Sequence, residues 1–275
     1  MAQVSGARIV FGLVVSTPGS DLADLSGRVD RLTKMIGAHV GLEVARFDAP
    51  TYEALATEVR EGRVDVAWLP PIVFVRLADS VTPLGSIVRG GKTAYEAALV
   101  VRADSRIRTI DGLRGSRAGW VDPWSAAGFV LPRVKLALLG VDPRTVFRTE
   151  TFHGSHRAAM KALEEGACDV AGTYAQADEA GNVVAGAWSE VSGAEVRVLA
   201  TFGAIPPDVI AVRAELAAES RVKVLEALRA ACTEESTRKV LREIFNGDEL
   251  REGLAPGYES LRSALDMATA RGLFD

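Results

Sequence analysis

WVDPWSAAGFVLP, Trp120 to Pro132, is an apolar run that breaks at Asp122-Pro123 and restarts as a helix behind Ser125 and Gly128. A strand feeding a helix through such a turn is the repeating unit of an α/β domain. In open α/β sheets, ligands sit at the carboxyl ends of the strands. The helix start adds N–H donors and partial positive charge, which suit an anion. Yet the two positions after Ser125 are Ala126 and Ala127, which carry no hydroxyl. Ser125 fits both a plain helix cap and an anion ligand.

The same alternation runs outward in both directions. Downstream, Val146 to Phe152 reads as a strand, His153-Gly154-Ser155-His156 as a second strand-to-helix turn, and Asp169 to Tyr174 as the next strand. The helix behind Ser125 is expected to run to Leu139, and the one behind Ser155 to Glu165. Upstream, Arg8 to Val15 reads as a buried strand, followed by a turn at Ser16-Thr17-Pro18-Gly19. Leu22, Leu25, Val29, Leu32, Met35 and Ile36 then recur at helical spacing. Leu42 to Phe47 and Val64 to Leu69 give two further strands, with a helix capped by Thr51 lying in sequence between them. Pro70-Pro71 is expected to stop the second of these strands. This β-α-β-α-β order predicts a parallel sheet.

Two extended stretches, Thr82 to Val88 and Tyr95 to Arg102, precede the second α/β unit. Strands at Val196 to Thr201 and Val209 to Val212 follow it, and from Leu216 the pattern is helical, with breaks near Thr233, Asn246-Gly247 and Pro256-Gly257. The tail has too few strands for a third α/β domain, so it is expected to complete the first. The division predicted is 1–90 plus 205–275 for one α/β lobe and 91–204 for the other. Two lobes joined by crossing strands is the architecture of a hinged binding protein.

Composition narrows the class. With 32 basic and 36 acidic residues, a net charge of −4 and no block of like charge, nothing marks a nucleic-acid or membrane-surface partner. No apolar run approaches the length of a membrane span. The start, Met1 to Arg8, does not read as a secretory leader. Cys168 and Cys232 lie far apart with no metal spacing and read as buried free thiols. His153 and His156 are three apart, but His39 is remote, so no metal site is expected. No nucleotide-binding or hydrolase motif and no acid–base carboxylate pair stands out, so neither catalytic residues nor a cofactor is expected. Aromatics are scarce, at 6%, yet Trp68, Tyr95, Trp120, Trp124 and Tyr174 all fall at or near strand ends. Trp120 reads as core, whereas Trp68 and Trp124 are expected to wall a pocket.

These residues resemble a family. The run from Tyr95 to Ile107, then Asp111 to Ser125, then Gly128 to Arg133 and His153-Gly-Ser-His156, is similar to the phosphate, phosphite and phosphonate solute-binding proteins of ABC transporters. Tyr52 to Leu55 and Gly62 to Pro71 are similar as well, and the likeness extends from about Ile9 to Pro207. It implies a two-lobed type II periplasmic-binding-protein fold, with a hinge of crossing strands and a cleft. In that family the loop after the second-lobe strand reads Ser-Thr-Ser-Gly and holds phosphonate oxygens. Carried over, the ligand-binding positions are Ser125, Ala126, Ala127 and Gly128, with Tyr95 and His156; Ser155 joins them from its own strand-to-helix turn. Ser16, Thr17 and Trp68 would contribute from the first lobe, and Tyr174 and Trp124 beside the second. Ala126 and Ala127 depart from the pattern, which implies an altered ligand.

The resemblance implies a non-enzymatic solute-binding protein that captures a small anionic or polar molecule for ABC-type import. It implies a monomer with an ABC permease as partner, in the periplasm or tethered outside the cell membrane. A second reading is a ligand-sensing domain of a signalling protein, which a cytoplasmic location would suit. A third is an enzyme that reuses the fold.

Overall fold

The computed structural model describes residues 8–14, 22–89, 91, 94–191, 193, 195–245, 247 and 249–274, with side chains in the first helix described from residue 26. The chain divides into two compact units, 1–93 with 207–256, and 94–206 with 257–275. It therefore passes from one unit to the other three times, at 93/94, 206/207 and 256/257.

In chain order, the first unit opens with β1 (Ile9–Val14), α1 (Leu22–Val40), β2 (Val44–Ala49), α2 (Tyr52–Arg60), β3 (Val66–Leu69), α3 (Pro71–Leu77) and β4 (Val81–Val88). The second unit holds β5 (Tyr95–Arg102), β6 (Arg117–Trp120), α4 (Leu131–Leu138), β7 (Thr149–Phe152), α5 (His156–Glu164), β8 (Val170–Ala177), β9 (Val183–Gly186) and β10 (Val196–Ile205). The chain then supplies β11 (Val209–Arg213), α6 (Ala218–Thr233), α7 (Glu235–Phe245) and β12 (Glu249–Glu252) to the first unit, and α8 (Tyr258–Ala270) to the second.

The first unit is a six-stranded sheet in the order β12-β4-β11-β3-β1-β2. β1 pairs in parallel with β2 and β3, as the β-α-β pattern requires, while β11 and β12 add antiparallel partners. Its core forms where α1, α6 and α7 cover the sheet, and Leu32, Ile36, Leu228, Leu241 and Phe245 are buried there with Phe11 and Leu13 of β1. One buried carboxylate ties three strands together. Asp65 accepts from the Val10 amide at 2.9 Å and pairs with Arg213 at 2.6 Å.

The second unit is a six-stranded sheet in the order β10-β5-β8-β6-β7, with β9 beside β8. β6 runs parallel to β7 and β8, and β5 lies antiparallel to β8 and β10. The carboxyl ends of β6, β7 and β8 and the amino end of β5 therefore share one edge. Trp120 is fully buried, as read from the sequence. Its indole Nε1 donates to Glu150 at 2.6 Å, and its ring meets Phe129 and Phe147 edge-on.

Several expectations need correction. Pro70-Pro71 ends β3 at Leu69 as expected, but Pro71 then starts α3, a helix the sequence reading did not include, at the position where proline's missing N–H costs nothing. The stretch after Phe245 is not helical throughout, since β12 pairs with β4 as an edge strand of mostly charged residues. Residues 257–274 pack with the second unit instead of completing the first. The reason is a buried anchor. Arg133, 3% exposed, donates from Nε to the Leu273 carbonyl at 2.7 Å, and the Phe274 ring lies 5.9 Å from Phe129. Both cysteines are free, but only Cys168 is buried; Cys232 is partly exposed.

Candidate functional site

Two helix starts share the edge of the second unit's sheet. Behind β6, the helix begins as a π-helical turn over Ala126–Val130 and continues as α4, instead of being α-helical from Ser125. The Val130 amide reaches back to the Ser125 carbonyl at 3.0 Å, the wider i to i+5 bond. Ser125 caps this start, its Oγ accepting the Gly128 amide at 3.0 Å. Gly128 is obligatory because a Cβ there would run into Val121 and stand 2.8 Å from Ser125 Oγ. Asp122 shapes the entry, with Oδ1 accepting the Trp124 amide at 2.7 Å.

The second start repeats the first. Ser155 caps α5, with Oγ accepting the Ala158 amide at 3.1 Å. Gly154, at φ 81°, makes the left-handed turn that a Cβ disfavours. Backbone bonds lock the two starts together. The His153 amide donates to the Trp120 carbonyl at 2.9 Å and the Gly154 amide to the Val121 carbonyl at 2.8 Å. Each serine satisfies the third amide of its helix. The first two of each, Ala126 and Ala127, then His156 and Arg157, have no acceptor within their own helix. Four N–H donors and two serine hydroxyl protons thus collect at one edge, backed by two helix dipoles. Ser125, Ala126 and Ala127 are 7%, 3% and 1% exposed, so an ion reaching them would leave water behind, which strengthens each contact.

His156 opens α5 and is half-buried. Its Nδ1 lies 3.0 Å from Thr173 Oγ1, and Thr173, in β8, is fully buried. The Tyr174 ring meets the imidazole edge-on at 5.1 Å, and the Tyr174 hydroxyl donates to Glu190. Burial pulls the His156 pKa down to about 4, so the ring is neutral at physiological pH. Tyr95 stands at the first position of β5, opposite Ile205.

The edge therefore gathers Ser125, Ala126, Ala127, Ser155 and His156, with Tyr95, Trp124 and Tyr174 on its elements. Trp68 belongs to the first unit. Its ring packs edge-on against Phe245 at 5.0 Å beside that unit's core, and its buried indole Nε1 makes no hydrogen bond among the described residues. Ser16 and Thr17 lie outside the described residues. Thr173 and Glu190 escaped the sequence reading, because only the strand register and the helix packing bring them to His156 and Tyr174.

His153 and Cys168 come close to one another on either side of Gly119. A Cβ on that glycine would be 3.2 Å from the imidazole Nε2 and 2.7 Å from the thiol. Burial pushes the thiol up to about 11, so the thiolate does not form at neutral pH, and burial also lowers the imidazole. This pair is packing, not an activated nucleophile. Among the described residues no three histidine, cysteine or acidic groups cluster as metal ligands, and no helix is long and apolar enough to cross a membrane.

Comparison with known structures places the fold. It superposes on a binding protein component of an ABC phosphonate transporter from Pseudomonas aeruginosa with a TM-score of 0.80, at 20% identity, covering 98% of this chain and 89% of that one. It superposes on PhnD1 from Prochlorococcus marinus in complex with methylphosphonate with a TM-score of 0.75, at 16% identity, covering 95% and 98%. The fold is that of a periplasmic binding protein. In sequence, 168 residues are 27% identical to the phosphate-import protein PhnD of Mycolicibacterium smegmatis, and the chain spans only 52% of that relative's length. The profile of the family described as ABC transporter, phosphonate, periplasmic substrate-binding protein matches residues 14–255, and the chain belongs to that family. It is a family of substrate-binding transport proteins, not of enzymes.

Proposed function

We propose that this chain captures a small oxyanion-bearing solute at the paired helix starts of its second unit and delivers it to an ABC permease. It works outside the cytoplasm, as a monomer, without catalysis or cofactor. The observation that carries this reading is the joined pair of helix starts, with Ser125 and Ser155 each occupying a third amide and leaving the first two to an anion. Backbone N–H groups at helix starts hold oxyanions without needing a counter-charge. Trp124 and Tyr95 flank the same turn and edge and are assigned to the solute's remainder.

Ala126 and Ala127 set the affinity for simple ligands low. A hydrogen bond to a charged group is worth about 1.5–3 kcal/mol, so two missing hydroxyls remove roughly two to four powers of ten. Calorimetry with inorganic phosphate and methylphosphonate tests the reading. Weak binding of either, strengthened by Ala126→Thr with Ala127→Ser, supports it. Submicromolar binding to the unaltered protein would show that the alanines do not weaken the cradle.

A further inference from the structure

β5 brings one more group to this edge. Glu96 follows Tyr95 and is half-buried; its Oε2 is enclosed and makes no hydrogen bond among the described residues. The sheet register fixes its direction. Ala98 lies opposite Thr173, and Glu96 lies opposite Ala175. Opposed residues of an antiparallel pair share a face, and alternate residues repeat it. Glu96 therefore stands on the face that carries Thr173, one step beyond it toward the edge. Diagonal neighbours of this kind are about 7–8 Å apart, within reach of a long side chain. α5 covers this face, because Ala98 and Ala175 pack with Ala159, Met160 and Leu163.

The hydrogen-bond inventory fixes what His156 offers beside it. The Thr173 hydroxyl is fully buried, with His156 Nδ1 as its partner. Were Nδ1 the donor, the hydroxyl proton would be left buried and unsatisfied, so the hydroxyl donates to Nδ1 and the ring proton sits on Nε2. His156 is then a neutral donor. The helix amides and the serine hydroxyls donate as well. Glu96 Oε2 is the opposite: an enclosed acceptor with no donor among the described residues. A solute that brings a donor satisfies it. A solute without one leaves the enclosed Oε2 unsatisfied and sets its own negative charge beside a carboxylate, and such a penalty is how a site rejects a near-identical ligand.

We propose that Glu96 is a specificity-determining residue of this site, accepting a hydrogen bond from a donor carried by the solute: a protonated oxygen of the oxyanion, or an ammonium beside it. The proposal rests on the oxyanion reading above. Its test is a set of titrations at neutral pH with two matched pairs, inorganic phosphate against sulfate and an ω-aminoalkylphosphonate against the alkylphosphonate of equal length. In the unchanged protein at least one donor-bearing member binds about tenfold tighter than its donorless partner, the size of one such hydrogen bond. In Glu96→Gln that ratio collapses to about threefold or less, an amide being no longer a pure acceptor. Glu96→Met serves as the second variant, with thermal melts confirming that both fold. Ratios that stay unchanged in both folded variants overturn the assignment of Glu96 and leave the oxyanion site standing. Failure of all four probes to bind the unchanged protein refutes the oxyanion site, and this proposal with it.

Discussion

Ser125→Ala separates the two jobs the structure gives one hydroxyl. Ser125 Oγ accepts the Gly128 amide at 3.0 Å, and both residues are buried. Its proton is left to donate to a ligand. Alanine removes the acceptor, so the Gly128 N–H loses its partner where water does not reach. Loss of a serine cap costs about 1 kcal/mol of stability, within a range of about 0.5–2. For a protein of this size that lowers the melting temperature by a few degrees, about 2–4 °C per kcal/mol. The binding loss is larger. A hydroxyl donating to an anion contributes about 1.5–3 kcal/mol, so affinity should fall about 10- to 150-fold. Calorimetry on a solute that binds the unchanged protein, beside a thermal melt of the empty variant, reads the two effects independently. A melting temperature that drops while affinity changes less than about twofold would refute the reasoning, since the hydroxyl would then be a cap and nothing more.

Gly128→Ala should cost about 1–3 kcal/mol of stability and also abolish tight binding, because the new Cβ meets Val121 and the capping oxygen together; a urea melt and a titration check it. Stability should be acid-sensitive through His156, whose folded pKa of about 4 lies below its ordinary 6.5. Above pH 6.5 the contribution is complete. As pH falls toward 4 the unfolded chain takes up a proton that the folded one refuses, removing about 3 kcal/mol, and His156→Gln should flatten this slope in urea melts at pH 7.5 and 4.5. Glu150→Leu should destabilise by about 3 kcal/mol, since it leaves the buried Arg133 guanidinium unpaired and strips Trp120 of its acceptor; Arg133→Leu in the same chain should restore much of the loss, as read by chemical denaturation.

Much of the α/β alternation was legible because buried strands and amphipathic helices have different periods. Ile9 to Val14 and Val66 to Leu69 are continuous apolar runs, and Val29, Leu32 and Ile36 mark one helix face. What failed was local chemistry with two meanings. Pro70-Pro71 does stop β3, yet the same pair opens α3, which was missed because proline also suits a helix's first turn. β12, Glu-Leu-Arg-Glu, has almost no apolar signal because it is an edge strand. The place of residues 257–274 depends on Arg133 reaching Leu273 across 140 positions, which no local pattern reveals. At the site, Ser125, Ser155 and His156 were visible as strand-to-helix turns. Thr173 and Glu96 were not, because only the register of β5 against β8 brings them to one face.

The central claim is that the amides of two adjacent helix starts hold the solute's oxyanion. Amide NMR of the labelled protein during titration with inorganic phosphate, carried into the millimolar range, tests it directly. The account predicts the largest shifts at the Ala126, Ala127, His156 and Arg157 amides, saturating together with one binding constant. Shifts centred elsewhere, for instance on the exposed arginines Arg106 and Arg114, with these four amides unmoved, would contradict it.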